Sequence, residues 1–176
     1  MIIAFTGHRP NKLGGYNSNN PTMNSIIAAI SHKLIELKPE ICISGMALGV
    51  DQWAAEVCIN LNIPFIAVIP QTNQPNLWPA MDAQPRYWNI LSKASQIYLV
   101  SKQLYFNSSE EYLEYIERTE KENYNSIYLQ LRNQYMVDFC DKLIAVWDNS
   151  PGGTANCVNY AKSKNKEIIY INPREL

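Results

Sequence analysis

Short apolar runs alternate with helix-patterned segments along the chain, and this alternation limits the fold more than any other feature. Ile2 to Thr6 is a buried run that ends in the polar loop Gly7-His8-Arg9-Pro10. An Asn- and Gly-rich stretch (Asn11 to Asn20) leads to Pro21-Thr22, which opens a helix. Its apolar positions Ile26, Ile27, Ile30, Leu34 and Leu37 keep helical spacing, and Pro39 stops it. Ile41 to Ser44 reads as a second strand, Val50 to Asn60 as a helix, and Pro64 to Pro70 as a third strand fenced by prolines.

Gln71 to Arg86, with Pro75, Pro79 and Pro85, is predicted to be mostly irregular. Tyr87 to Lys93 reads as a short helix and Gln96 to Val100 as a fourth strand. Ser109 to Glu122 carries six of the sixteen acids and reads as an exposed, charged helix, with an apolar stripe suited to a lid or subunit contact. A helix over Ser126 to Phe139, a strand over Lys142 to Trp147, a helix over Thr154 to Lys162 and a strand over Glu167 to Ile171 complete the series. Strands this uniformly apolar belong in a parallel sheet covered on both faces, and the intervening helices supply the cover. The expected fold is a Rossmann-like three-layer α/β sandwich, with a mostly parallel sheet of about six strands.

At 176 residues the chain suits one domain over its whole length, and 47% hydrophobic against 18% charged residues supports a sizeable core. Fifteen basic against sixteen acidic residues, a net charge of −1, exclude a broadly basic nucleic-acid coat. No run reaches the roughly 18 apolar residues of a membrane span, and the first ten residues lack the features of a signal peptide. Cytoplasmic localisation and no membrane partner are expected. Cys42, Cys58, Cys140 and Cys157 are scattered, without CxxC or a His cluster, and read as reduced core residues, so no metal site is expected.

In a parallel sheet every strand-to-helix loop opens at the carboxyl edge, where ligands bind near a switch in strand order. Three such loops are polar and glycine-rich: Thr6-Gly7-His8-Arg9, Ser44-Gly45-Met46-Ala47-Leu48-Gly49-Val50-Asp51, and Pro151-Gly152-Gly153-Thr154. Each loop alone is better explained as a turn than as a phosphate cradle. Three on one edge, leading to helix N-termini that favour anions, describe a pocket for a phosphate-bearing ligand. Neither Walker A nor GxGxxG is present, which argues against a P-loop ATPase or an ordinary NAD dehydrogenase.

The stretch Ser44 to Asp51, followed by Ala54-Ala55-Glu56, resembles the SGxAxGxD signature of the SLOG superfamily, which unites the DprA/Smf proteins with the LOG phosphoribohydrolases. Arg132-Asn133, Met136, Asp138, Asp141 to Trp147 and Pro151 to Thr154 follow in the order of the LOG Arg–Met–Asp–strand–PGG–Thr block. The YpsA/YoqJ-like bacterial and prophage proteins are most similar, sharing TGHRP, Pro70-Gln71, Trp78, Tyr87, Trp147-Asp148 and the run to Asn156. The resemblance implies a Rossmann-like fold, a homo-oligomer, and a nucleotide or NAD/ADP-ribose-derived ligand bound for sensing, signalling or sequestration. No resident cofactor is implied. LOG-like hydrolysis of a nucleotide N-glycosidic bond is the alternative, and DprA-like single-stranded DNA binding a third reading that the charge balance disfavours.

LOG enzymes use an Arg matched by Arg132 and a Glu three residues beyond the Thr. That position is Cys157 here, so no catalytic residue is assigned and binding is favoured over cleavage. The candidate ligand-binding residues are those of the three loops and their surroundings. Arg9 and Arg132 are the phosphate clamps, although Arg132 could instead pair with Asp138 or Glu120. His8 can bond a phosphate or brace its loop. Asp51 can cap a helix or bond a ribose hydroxyl, and Asp148 and Asn156 can read a ribose or base edge. Ser44 and Thr154 offer hydroxyls, while Thr6, Gly7, Gly45, Met46, Gly49, Gly152 and Gly153 form the walls. Trp78, Tyr87 and Trp88 can stack on a base or anchor packing.

Overall fold

The computed structural model describes residues 1–78 and 82–176. Among these residues the chain forms seven strands, β1 (Ile2–Gly7), β2 (Ile41–Ser44), β3 (Phe65–Ile69), β4 (Gln96–Leu99), β5 (Leu104–Phe106), β6 (Lys142–Val146) and β7 (Glu167–Ile171). Six α-helices lie between them: α1 (Pro21–Leu37), α2 (Val50–Asn60), α3 (Ala83–Leu91), α4 (Ser109–Arg118), α5 (Ile127–Phe139) and α6 (Gly153–Ser163). The strands form one sheet in the order β5-β4-β3-β2-β1-β6-β7, parallel except for the antiparallel pair β4–β5. The Rossmann-like α/β class read from the alternation is therefore observed.

Side chains alternate across each strand, and this sends Ile3 and Phe5 of β1 to one face and Ala4 to the other. The first face packs against α1, α2 and α3 through Ile26, Ile30, Trp53, Val57, Tyr87 and Ile90. The second packs against α5 and α6 through Met136, Val137, Cys157 and Ala161. All four cysteines are buried and free. A bidentate pair, with Arg86 Nε donating to Glu56 Oε1 at 2.7 Å and Nη2 to Oε2, ties α2 to α3 and gives Glu56 of the signature stretch a structural role.

Three elements depart from the sequence reading. Helix α3 begins at Ala83, four residues before the expected Tyr87, because Pro85 falls in the first helical turn, where a missing N–H costs nothing. Pro79, part of the segment expected to be irregular, lies outside the described residues. Strand β5 raises the expected six strands to seven; it is three residues long and hairpins back on β4. The acidic helix stops at Arg118 rather than Glu122, and Thr119 is already extended. No helix among the described residues is long and apolar enough to cross a membrane.

Candidate functional site

Strand order reverses between β1 and β6: the chain proceeds from β1 to β2 on one side and returns to β6 on the other. The crevice at a carboxyl-edge reversal is the usual ligand position in open α/β sheets. Here it holds a cavity of about 360 Å³. The first loop contributes Thr6, Gly7, His8 and Arg9, the second Ala47 and Asp51, and the third Gly152, Gly153 and Thr154. Helix α5 contributes Leu129, Arg132 and Asn133.

The first two loops interlock. A Cβ on Gly49, whose φ is +95°, would lie 2.6 Å from the His8 carbonyl, and one on Gly7 would lie 2.5 Å from Val50. Only glycine permits these approaches. Gly45 is equally confined: a Cβ there would meet Asp51 Oδ2 at 2.7 Å and Arg132 Nε at 2.9 Å.

Arg132 is 6% exposed and sits between the loops. Its Nη1 donates to the Gly45 carbonyl at 3.3 Å, and Nε and Nη2 both donate to Asn133 Oδ1, at 3.2 and 3.0 Å. Neither alternative carboxylate partner engages it: Asp138 instead accepts from the Tyr160 hydroxyl. Burial lowers the Arg132 pKa from its ordinary value, with Asp51 pulling the other way. Asp51 is 6% exposed, and its Oδ2 accepts from the Ala47 amide at 3.3 Å. Burial raises its pKa, opposed by the charges of Arg132 and Arg9. A guanidinium and a carboxylate thus face the same cavity without a direct ion pair among the described contacts.

On the opposite wall His8 Nε2 lies 2.7 Å from Asp148 Oδ1, while Asp148 Oδ2 accepts from Arg174 Nη2 at 2.7 Å. Hydrogen bonds from Ser150, and then from His8, hold the Asp148 carboxyl well below the usual carboxylate range. Asp148 therefore braces His8 from outside the residues that line the cavity.

Four candidate residues of the second loop, Ser44, Gly45, Met46 and Gly49, stand outside the cavity lining, and the Gly45 carbonyl accepts from Arg132 and from Gln74 Nε2. Ser44 is fully buried, donates to the Asp51 carbonyl at 2.8 Å and accepts from the Met46 amide at 3.2 Å. Met46 is fully buried with φ +57°, its carbonyl accepting from Gln52 Nε2. Gly49 packs behind the wall. Asn156 lines an adjoining cavity between α5 and α6. Tyr87 is fully buried, with Trp78 and Trp88 against its edges, so Tyr87 and Trp88 act as packing anchors.

Lys12 and Asn133 also line the cavity, although the motif reading gives Lys12 no place and Asn133 only that of Arg132's neighbour. Lys12 follows Arg9 by three residues in the short helical turn Pro10–Lys12, a spacing that eclipses side chains and was readable in principle. Its Nζ donates to the Pro151 carbonyl at 3.2 Å, joining the first loop to the third. Asn133 adjoins Arg132 in sequence, but nothing in its spacing announces that it orients the guanidinium.

Comparison with known proteins agrees with this architecture. The YpsA family model, described as the YspA SLOG family, matches residues 3–176. A UPF0398 protein of Bacillus cereus is 31% identical over 173 residues, covering 93% of this chain and 83% of that protein. DNA processing protein A (DprA) from Streptococcus pneumoniae superposes with a TM-score of 0.59 at 16% identity, covering 97% of this chain. This chain spans only 50% of that DprA. The molybdenum cofactor binding protein of Rippkaea orientalis superposes with a TM-score of 0.52 at 18% identity, over 99% of this chain and 80% of that one. The two structural likenesses concern the fold alone.

Proposed function

The chain belongs to the YspA SLOG family, and from that premise we propose that it binds a nucleotide or an NAD- or ADP-ribose-derived small molecule at the carboxyl edge of its sheet. Residues 1–176 act in this reading as one binding domain, serving sensing, signalling or sequestration. One observation carries it: the buried Arg132 guanidinium and the N-terminus of α6 at Gly153-Thr154 line the same cavity at the strand-order switch. A guanidinium offers two parallel donors to a phosphate, and the free amides of a helix start offer more. Arg9 and Lys12 add exposed positive charge at the rim, and Asp51 is placed for a ribose hydroxyl.

Binding is favoured over N-glycosidic cleavage because Cys157 stands where LOG-like chemistry needs a carboxylate. Cys157 is 1% exposed, and burial pushes its thiol up to about 11, so it supplies neither a base nor a thiolate near neutral pH. The molybdenum cofactor binding protein shows that a related fold serves small-molecule binding, which supports the reading by analogy.

Thermal denaturation with AMP, NAD, ADP-ribose and cyclic ADP-ribose tests it. A ligand at a hundred times its Kd adds about 2.7 kcal/mol, hence a Tm rise of roughly 5–10 °C for a chain of this size. Arg132→Lys, which keeps a cation beside Asp51 but loses the fork, should bind at least tenfold more weakly. If none of the four raises Tm, or if Arg132→Lys responds like wild type, the pocket assignment falls. Mass spectrometry of the same mixtures reports turnover, and catalytic release of base would establish the hydrolase instead.

A further inference from the structure

His8 lines the cavity at the strand-order switch and is 5% exposed. Its Nε2 lies 2.7 Å from Asp148 Oδ1 and 3.3 Å from Ser150 Oγ. Its Nδ1 has no partner among the described contacts, and it is the nitrogen left to meet whatever occupies the cavity.

Asp148 decides which nitrogen carries the proton. Hydrogen bonds from Ser150 and His8 hold its carboxyl well below the usual range, so it is a carboxylate at neutral pH. A carboxylate only accepts, and the nitrogen 2.7 Å from it must therefore be an N–H. A neutral imidazole has one N–H. With that proton committed to Nε2, the Nδ1 of neutral His8 is a lone pair, which repels an anion in the cavity. One proton from solvent turns that lone pair into a second donor and gives the ring a positive charge. A histidine free of Asp148 would offer a donor to an anion by changing tautomer, with no proton taken up. The carboxylate closes that route.

From this arrangement we propose that anion binding in the cavity is coupled to protonation of His8, so that the ligand binds with uptake of a proton and leaves when the proton is lost. This coupling rests on the anion-binding reading of the cavity and adds a control to it. Other charges face the same space. Arg9 and Lys12 follow His8 on its own side of the cavity, and Asp51 and Arg132 line it from α2 and α5. Arg174, beyond β7, donates to Asp148 Oδ2 and so shares the carboxylate with His8. The guanidiniums attract an anion at every working pH and do not gate it. Asp51 is the rival, because burial raises its pKa and its neutralisation on acidification would also favour an anion.

Titration calorimetry with ADP-ribose tests the coupling, because each of its phosphates keeps one negative charge from pH 6 to pH 8 and the ligand supplies no proton. Affinity should be about tenfold higher at pH 6 than at pH 8, the effect of one proton over roughly one pH unit. At pH 7 the apparent heat should differ between two buffers of unlike ionisation enthalpy, as proton uptake requires. His8→Asn, which puts a non-titrating amide near the Nδ1 position, should lose both effects. Asp148→Asn keeps an oxygen for the Nε2–H and loses the charge that favours imidazolium, so it should reach the same affinity only at lower pH. Unfolding temperatures of the unliganded variants check that each remains folded. The chain has two histidines, and His32 is exposed on α1, so His32→Gln assigns the His8 ring nitrogens by NMR in an otherwise unchanged site. Neutral His8 should carry its proton on Nε2. A proton on Nδ1, equal wild-type affinity at pH 6 and pH 8, or a pH dependence that survives in His8→Asn and so belongs to Asp51, overturns the coupling while the anion pocket stands. Failure of both ADP-ribose and sulfate to bind at either pH overturns the pocket itself, and the coupling with it.

Discussion

At the scale of single residues the site is held by contacts that tolerate no added atom in some places and welcome one in others. A Cβ on Gly45 would overlap both Asp51 and Arg132, whereas one on Gly153 would meet nothing within 4 Å. Gly45→Ala should therefore cost about 1–3 kcal/mol, in line with overpacked interiors, and abolish ligand-induced stabilisation. Gly153→Ala, in the first turn of α6, should leave urea stability within about 0.5 kcal/mol of wild type while weakening ligand binding. Asp148 adds a pH signature. Its folded-state pKa is depressed, so its stabilisation is present above the ordinary carboxylate value near 4 and is lost as pH falls through the lower folded value. The stability gap between wild type and Asp148→Asn should be full at pH 7, nearly full at pH 5, and shrink below pH 4 in urea titrations. The convergence was legible in the sequence: Arg132, Asp51 and the Gly152-Gly153-Thr154 run, far apart along the chain, come to one cavity because strand-end loops share the carboxyl edge. The inward turn of Ser44 and Met46 was not legible, because a hydroxyl ending a strand can brace its own loop as readily as face a cavity, and neither spacing nor composition distinguishes the two outcomes.

At the scale of elements, the connection between α4 and α5 is fastened to the loop after β3. Gln71 is 4% exposed; its Nε2 donates to the Asn123 carbonyl, and its Oε1 accepts from the Asn125 amide, both at 2.8 Å. The Thr72 amide donates to Glu122 Oε2 at 2.8 Å. These bonds position Tyr124 in the lining of a second cavity that it shares with Arg9, Pro70 and Trp78. Gln71→Ala should accelerate limited proteolysis between residues 119 and 126 and weaken adenine-nucleotide binding several-fold, measured by gel and by calorimetry. The short antiparallel β5 was not legible, since three residues give no periodicity and its pairing depends on the tight reversal after β4. The parallel strands were legible because their continuous apolar runs reflect cover on both faces.

At the scale of the whole molecule, a net charge of −1 conceals a separation. The cationic residues of the cavity lie at the carboxyl edge. Lys162 in the last turn of α6, with Lys164 and Lys166 just beyond it, lies at the opposite edge, where Lys166 Nζ is bonded to the Cys140 carbonyl at 2.7 Å. A polyanion needs a continuous basic track and shows a steep salt dependence. Fluorescence polarisation with an oligothymidine should give no saturable binding below about 10 µM at physiological salt, weaker than specific nucleic-acid recognition. Tight binding with a steep salt slope would favour the DprA-like reading.

The interlocked first and second loops have a thermodynamic consequence. With the Gly49 Cα against the His8 carbonyl and Gly7 against Val50, the two walls have no room to close further on an arriving anion. Little backbone order remains to be gained on binding, so free and occupied states should superpose within about 1 Å along these loops. The heat-capacity change should reflect only the surface the ligand covers. Relatives that keep these glycines but differ in the side chains around the cavity should therefore differ chiefly in how long a ligand stays.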